Sequence, residues 1–279
     1  MFLRTLLKAI SWLATGFSRQ SPPDVIVLMY HRVTGDVLLE LDLPFPIFHT
    51  QMRKLAQSGQ VVSMDEAVLR LESGERMKHP LYVITFDDAF KDFYTHVFPL
   101  LRDLQLPVTL YVPTGFLDSP HKPPISRQIV DAEKLTPITW AMLDELAACP
   151  LVTVAGHTHS HLELPSLPDE VVLAELARCD TLLEHRLGRP ILHFAYPRGV
   201  WDERVEQLVK SRYATVAIAS GGAITSIGFR PYRIPRVPVL RSDGMFWFSA
   251  RITGRLIYEE QIVKFVKRLR LQLSAREGT

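Results

Sequence analysis

The chain has 279 residues, 47% hydrophobic and 22% charged, proportions that exclude a disordered, collagen-like or coiled-coil protein. Its 32 Lys and Arg against 30 Asp and Glu leave a formal charge of only +2, which argues against a general nucleic-acid binder. The charge is uneven: residues 1–20 carry Arg4, Lys8 and Arg19 without an acid, and residues 251–279 carry seven bases against three acids, so the body between them is acidic.

In chain order, residues 1–20 read as an amphipathic helix, because Phe2, Leu3, Leu6, Leu7, Ile10, Leu13 and Phe17 recur at helical spacing. Arg4 and Lys8 interrupt the apolar run and no A-x-A cleavage site follows, which disfavours a signal peptide; an uncleaved signal anchor is the alternative. A basic, apolar helix predicts peripheral contact with an anionic membrane surface, against the plainer reading of a helix packed on the protein, and a cytoplasmic or membrane-associated location. From residue 25 onward, short apolar runs alternate with amphipathic ones, the pattern of βα units around a parallel sheet. Strands are predicted at 25–30, 61–62, 81–86, 108–112, 151–155, 192–196 and 214–218. Ser63 and Glu66 form a capping box for a helix to about residue 75; Phe90, Phe93, Val97, Leu100, Leu101 and Leu104 form one helical stripe, and 169–187 and 201–210 two further helices. Residues 117–137, with four prolines, predict a long loop over one barrel rim, and 245–273 a helix with a basic last turn of Lys264, Lys267, Arg268 and Arg270. No linker composition divides the chain, so the organisation expected is an N-terminal helix over 1–20, one catalytic α/β barrel over 21–245, and a basic C-terminal helix over 246–279. Cys149 and Cys179 are too few for a disulfide scaffold or a Cys-rich zinc site.

Three segments put ionisable or strained residues directly after a strand, where α/β barrels keep their chemistry. After 81–86 come Asp87 and Asp88, adjacent carboxylates that diverge by the pleat, so that one can bind a metal while the other acts as a base; a plain N-cap explains one Asp equally well. After 151–155 come His157, His159 and His161, and three histidines in five residues are hard to explain by packing. His157 and His161, four apart, together with Asp88 make the two-nitrogen, one-oxygen ligand set of a catalytic zinc-type centre. After 192–196 come Pro197, Arg198 and Gly199, an irregular turn whose free N–H groups could donate to an oxyanion.

In this order and spacing, the segments over roughly residues 24–245 resemble the polysaccharide deacetylase family, the NodB-homology group of carbohydrate esterases (carbohydrate esterase family 4). The resemblance implies a distorted (β/α)7 barrel and metal-dependent removal of N-acetyl groups from an amino-sugar glycan or glycolipid. The T-F-D-D motif, matched by Thr85 to Asp88, implies Asp87 as general base and Asp88 as metal ligand. The H-[ST]-x-x-H motif implies His157 and His161 as ligands, with His159 off the metal. The Phe194-Ala195-Tyr196-Pro197-Arg198-Gly199 segment resembles the exopolysaccharide-type branch and implies the Arg198 N–H as oxyanion donor. One divalent ion is implied, zinc first, with cobalt or nickel accepted by the same ligands. The pattern departs from the family's where Ala89 replaces a Gly, Leu162 a Pro and Ala195 an Arg that orients the base, and where no His follows His193 to act as acid. Arg233 or Arg236 is the expected substitute for the missing Arg. His31, in a Tyr-His segment like that of exopolysaccharide-type members, is the expected acid, against a structural His at that turn. Two other readings are a non-catalytic glycan-binding barrel and a metal-dependent amidohydrolase or phosphoesterase; the second needs an H-x-H on the first strand, which is missing. No G-x-S-x-G elbow or Walker loop occurs.

Overall fold

The computed structural model describes residues 2–16, 23–119, 134–222, 224–256, 258–259, 262–263 and 265–266. Among these, seven parallel strands close a barrel in sequence order: β1 (Val25–Tyr30), β2 (Leu81–Phe86), β3 (Val108–Val112), β4 (Val152–Gly156), β5 (His193–Ala195), β6 (Thr215–Ile218) and β7 (Ile234–Pro238). Strands buried on both faces need apolar residues at nearly every position, and β1 and β3 are buried throughout. Ile26, Leu28 and Tyr30 of β1 face outward into the layer under the helices, with Phe48, Met52 and Leu55 of α2 (Phe45–Ser58) in the same core. Tyr111, Ala155, Ala195 and Ala217 form a separate interior cluster. The seams are unequal: β1 and β2 are paired from Val25↔Leu81 to Tyr30↔Phe86, whereas β4 and β5 share only Gly156↔Phe194.

The helical expectations hold where a cap fixes the end. Ser63 accepts the Glu66 N–H to start α3 (Met64–Glu72). Residues 98–103 form α4 (Phe98–Asp103), and two helices not expected from the sequence are α5 (Thr114–Asp118), which takes the start of the expected 117–137 loop, and α6 (Trp140–Ala147), which Thr139 caps by accepting from Met142. The helix α7 (Asp169–Leu187) ends at Gly188 in the left-handed conformation, and Asp202 caps α8 (Glu203–Lys210). Two further helices, α1 (Phe2–Gly16) and α9 (Gly244–Ile252), lie at the chain's two ends.

Several expectations are corrected. Residues 61–62 form no strand; Val61 makes an isolated bridge to Tyr82, because the Ser63 cap begins a helix one residue after Val62. The seventh strand is instead Ile234–Pro238, whose Pro235 and Pro238 lack N–H donors and hide it from a pattern search; both are tolerated near the strand's ends. The stripe from Phe90 to Leu104 is divided into a π-helical turn, Phe93–Val97, and α4, since Pro99 withholds one helical donor. The helix expected over 245–273 is α-helical over Gly244–Ile252, is broken by a turn at 253–256, and is helical again at 259, 262–263 and 265–266; Lys264, Lys267, Arg268 and Arg270 lie outside the described residues, as do residues 17–20 of the expected first helix and 120–133 of the expected loop. No helix among the described residues is long and apolar enough to cross a membrane.

Candidate active site

The carboxyl ends of β1, β2, β4 and β5 place His31, Asp87 with Asp88, His157 with His161, and Arg198 on one rim of the barrel. The backbone there is bent into rare conformations. Of six non-glycine residues with positive φ among the described residues, five belong to these segments: Asp88, Ala89, Thr158, His161 and Arg198. Such torsions persist only where the surroundings enforce them, and they gather at functional sites. Asp88 (φ 70°) lies beyond the end of β2, so the two carboxylates part by a left-handed turn and not by the pleat. Ala89 stands at φ 51°, a conformation that Gly adopts more readily than Ala.

Asp87 meets Arg236, which reaches in from β7. Nη1 lies 2.5 Å and Nη2 2.8 Å from its two oxygens, a bidentate pair, and both side chains are nearly fully buried. Burial raises the Asp87 pKa, but Arg236, followed by His157 and His31, outweighs it and holds the carboxyl well below the usual range. Of the two arginines expected to replace the missing one, only Arg236 serves here. Arg233 bonds Glu206 and stacks over Trp201 at 4.1 Å. The small Ala195 lies beside Tyr111 in the interior cluster, and the Arg236 guanidinium sits 5.0 Å over the Tyr111 ring, so an arginine enters from a later strand where the family's usual one is replaced by a methyl.

Asp88 turns to the other partners. Its Oδ1 is 3.4 Å from His161 Nε2 and 3.7 Å from His157 Nε2, and ligand atoms of all three residues lie within 4.8 Å of one another. Ligands about 2.1 Å from one tetrahedral ion stand roughly 3.4 Å apart, so the spacing suits a metal. The donor chemistry agrees. His157 Nδ1 is 2.7 Å from the Ala195 carbonyl, which fixes the ring with Nε2 inward. Thr158 accepts the His161 N–H at 2.9 Å and closes the loop between the two histidines. Asp88 Oδ1 is buried without a hydrogen-bond partner. Burial, then the neighbouring Asp87, pushes the Asp88 pKa well up, while burial and His157 push His161 well down. A carboxylate that lacks a cation beside imidazoles kept neutral is the electrostatic signature of a cation site.

His159 lies outside this group. Its Nδ1 is 3.0 Å from Thr114 Oγ1, and it lines a cavity of about 180 Å³ with Phe116, Ser119, Ser160 and His161. His31 Nε2 is 3.9 Å from Asp87 Oδ2, and 12% of its side chain is exposed. Burial lowers its pKa to about 4, Asp87 opposing and Arg236 and His157 assisting. Burial, Arg236 and His157 thus favour the neutral imidazole at His31, against the pull of Asp87. Arg198 adopts φ 55°, and Gly199 and Val200 donate to Tyr196 and Pro197, so the Arg198 N–H stands outside the turn's own bonds. Its guanidinium pairs with Glu163 at 2.9 Å, near enough to Asp88 and His161 to favour carboxylate and neutral imidazole. Tyr111 was missed in sequence: its hydroxyl is buried without a partner and its ring carries Arg236. Its only sequence signal is an aromatic among small inward-facing residues.

The polysaccharide deacetylase family matches residues 74–217, just over half of the chain. The poly-beta-1,6-N-acetyl-D-glucosamine N-deacetylase of Escherichia coli is 31% identical over 198 residues, 65% of this chain and 28% of that protein, so the chain spans little more than a quarter of that relative. The YxkH protein of Bacillus subtilis is 24% identical over 236 residues, 84% of this chain and 76% of the relative. The fold is similar to that of the Streptococcus pyogenes deacetylase PplD, solved in complex with acetate, with a TM-score of 0.69, 20% identity, and coverage of 83% of this chain and 99% of that one. With Asp87, Asp88, His157, His161 and Arg198 all inside the matched stretch, the chain belongs to the polysaccharide deacetylase family.

Proposed function

We propose that the protein hydrolyses the N-acetyl amide of an amino sugar in a glycan or lipid-linked sugar, using one divalent ion, zinc first and cobalt or nickel as alternatives, held by Asp88, His157 and His161. Polysaccharide deacetylation is the chemistry of the family to which the chain belongs. The observation that carries the assignment of roles is the division of labour between adjacent carboxylates: Asp87 is taken by Arg236, and Asp88 faces the two histidines. A poly-N-acetylglucosamine is the first substrate to try, because the Escherichia coli relative is named for it.

When bound, the ion polarises the amide carbonyl and lowers the pKa of water. The chain's own groups move the proton. Asp87, kept ionised and oriented by Arg236, takes a proton from the attacking water as the new C–O bond forms. The Arg198 N–H faces the developing oxyanion. His31, neutral at rest, receives that proton from Asp87, 3.9 Å away, and gives it to the departing nitrogen as the C–N bond breaks. One proton of the water thus arrives on the amine, and the other stays on the acetic acid, which gives it up to solvent at neutral pH to leave acetate.

The test is acetate release from a panel of N-acetylated oligosaccharides and lipid-linked amino sugars, with metal content measured on the same samples. Release that requires metal supports the reading. Glycan binding without acetate release in zinc-, cobalt- and nickel-loaded protein would replace it with a glycan-binding barrel.

A further inference from the structure

Amphipathic helices normally bury their apolar side against the protein, but α1 turns a largely polar face inward, with Leu7 its one apolar member, and leaves Leu6, Ile10 and Leu13 exposed. Its inward face carries Arg4, Leu7, Lys8, Ser11 and Thr15, and Lys8 is fully buried. Lys8 Nζ is 2.7 Å from Asp243 and 2.7 Å from Ser242 Oγ; Arg4 is 3.0 Å from Glu259; Thr15 Oγ1 donates to the Arg255 carbonyl at 2.9 Å. Asp243 and Glu259 are joined in turn by the buried Arg251. The charges that would keep this helix in water are thereby spent inside the protein. The opposite stripe, Leu6, Ile10 and Leu13 at i, i+4 and i+7, is left 48%, 44% and 53% exposed. On the flank, Trp12 is half-buried with the exposed Arg255 guanidinium 5.1 Å over its ring, the aromatic and basic pairing suited to a headgroup layer. Arg19 follows the helix in sequence, and Lys264, Lys267, Arg268 and Arg270 follow α9.

We propose that α1 is an interfacial anchor that lies flat on an anionic bilayer, inserting Leu6, Ile10 and Leu13 among the lipids while its ion pairs to Asp243 and Glu259 hold it rigidly to the barrel. An exposed apolar stripe beside the exposed Arg255, on a helix whose sequence neighbours are basic, has the chemistry of an anionic lipid surface, and no described helix has the length and apolarity to cross one. The anchor is independent of the reaction at the barrel rim, so either can fail alone.

The full chain is mixed with vesicles of phosphatidylcholine and phosphatidylglycerol at three to one, or of phosphatidylcholine alone, and sedimented. Wild type is expected to partition at least about 10-fold more strongly to the anionic vesicles. Leu6→Glu, Ile10→Glu and Leu13→Glu together are expected to remove that binding by a similar factor, while far-UV circular dichroism and metal content stay unchanged. Because three glutamates could unsettle the helix, the milder set Leu6→Ser, Ile10→Ser and Leu13→Ser is measured beside them and should also lose most binding with the thermal midpoint retained. Failure of wild type to bind anionic vesicles overturns the proposal, as does wild-type binding by the folded serine variant. A wild-type dimer that these substitutions convert to monomer, without vesicle binding, assigns the stripe to a second copy of the chain instead.

Discussion

The barrel rim and the contact beneath α1 both bury charge, but they balance it differently. Beneath α1, cations and anions alternate: Arg4 meets Glu259, Arg251 meets both Glu259 and Asp243, and Lys8 meets Asp243. Arg251 and Lys8 outweigh burial and hold Asp243 below the usual carboxylate range. At the rim, Arg236 matches Asp87, but Asp88 lies against two imidazoles whose pKa burial lowers, and burial with Asp87 pushes its own pKa well up although Arg236 and Arg198 act from a distance. A closed alternation of charge fixes an orientation and asks for nothing more. A buried carboxylate with no matching cation is stable only if something else supplies the charge, and that difference separates a structural cluster from a chemical one.

The largest effect that tests this contrast is loss of a rim histidine. His157→Ala or His161→Ala should abolish both metal content and acetate release, whereas Lys8→Met should leave both in place. Retained metal in the two histidine variants would erase the distinction. Next is Arg236→Met, which strands the buried Asp87 carboxylate and should lower unfolding free energy by about 3–5 kcal/mol in denaturant titration. Lys8→Met should lose less, because Asp243 keeps Arg251. Asp87→Asn should keep its metal and lose turnover by about 10²-fold or more, the scale of a general base. Near-normal turnover would return Asp87 to a purely structural pair.

The smallest effects concern pH, and the two carboxylates should move in opposite directions. The folded pKa of Asp88 is raised, so in chelator-treated protein its contribution is most favourable below the ordinary carboxylate value and is lost as pH rises toward the raised one. Asp88→Asn should flatten that fall. The folded pKa of Asp243 is lowered, so its contribution is present above the ordinary value and is lost as pH falls through the lowered one. His31, with its pKa lowered from 6.5 to about 4, contributes fully above 6.5, and the contribution is lost as pH falls toward 4. His31→Gln should remove about 2 kcal/mol of that acid-side slope, allowing for partial exposure, as read by thermal melts across the range. The same variant should keep its metal but lose most of its turnover; unchanged turnover would leave His31 a structural residue of its turn.

Much of the fold was legible in the sequence where a local rule acts. The strands at 25–30, 81–86 and 108–112 are bounded as their apolar runs suggest, and Ser63 with Glu66 and the run from Asp169 to Gly188 mark their own helices. Asp87 and His157 were legible because each follows a strand directly, and Asp88, His161 and Arg198 because they lie within five residues of a strand end; the closed parallel barrel brings those ends to one rim. The choice of Arg236 over Arg233 was not legible, since both lie within one short segment and only the register of β7 against β1 decides which points inward. Nor was β7 itself, because two prolines contradict strand propensity and only closure of the barrel between β6 and β1 overrides it.

The sequence by itself determined the alternation of strands and helices, six of the seven barrel strands, the apolar and charged stripes of α1, and the types of side chain available for chemistry, since these depend on periodicity and residue identity alone. Only the tertiary structure decided which way the His31 pKa moves, because the shift follows from burial and from charges supplied at the ends of β2, β4 and β7. It also decided which stripe of α1 turns inward. Helical spacing makes the two faces distinct but cannot say which one is covered; that is settled by Asp243 and Glu259, more than two hundred residues away, whose carboxylates draw Lys8 and Arg4 in and leave Leu6, Ile10 and Leu13 outside.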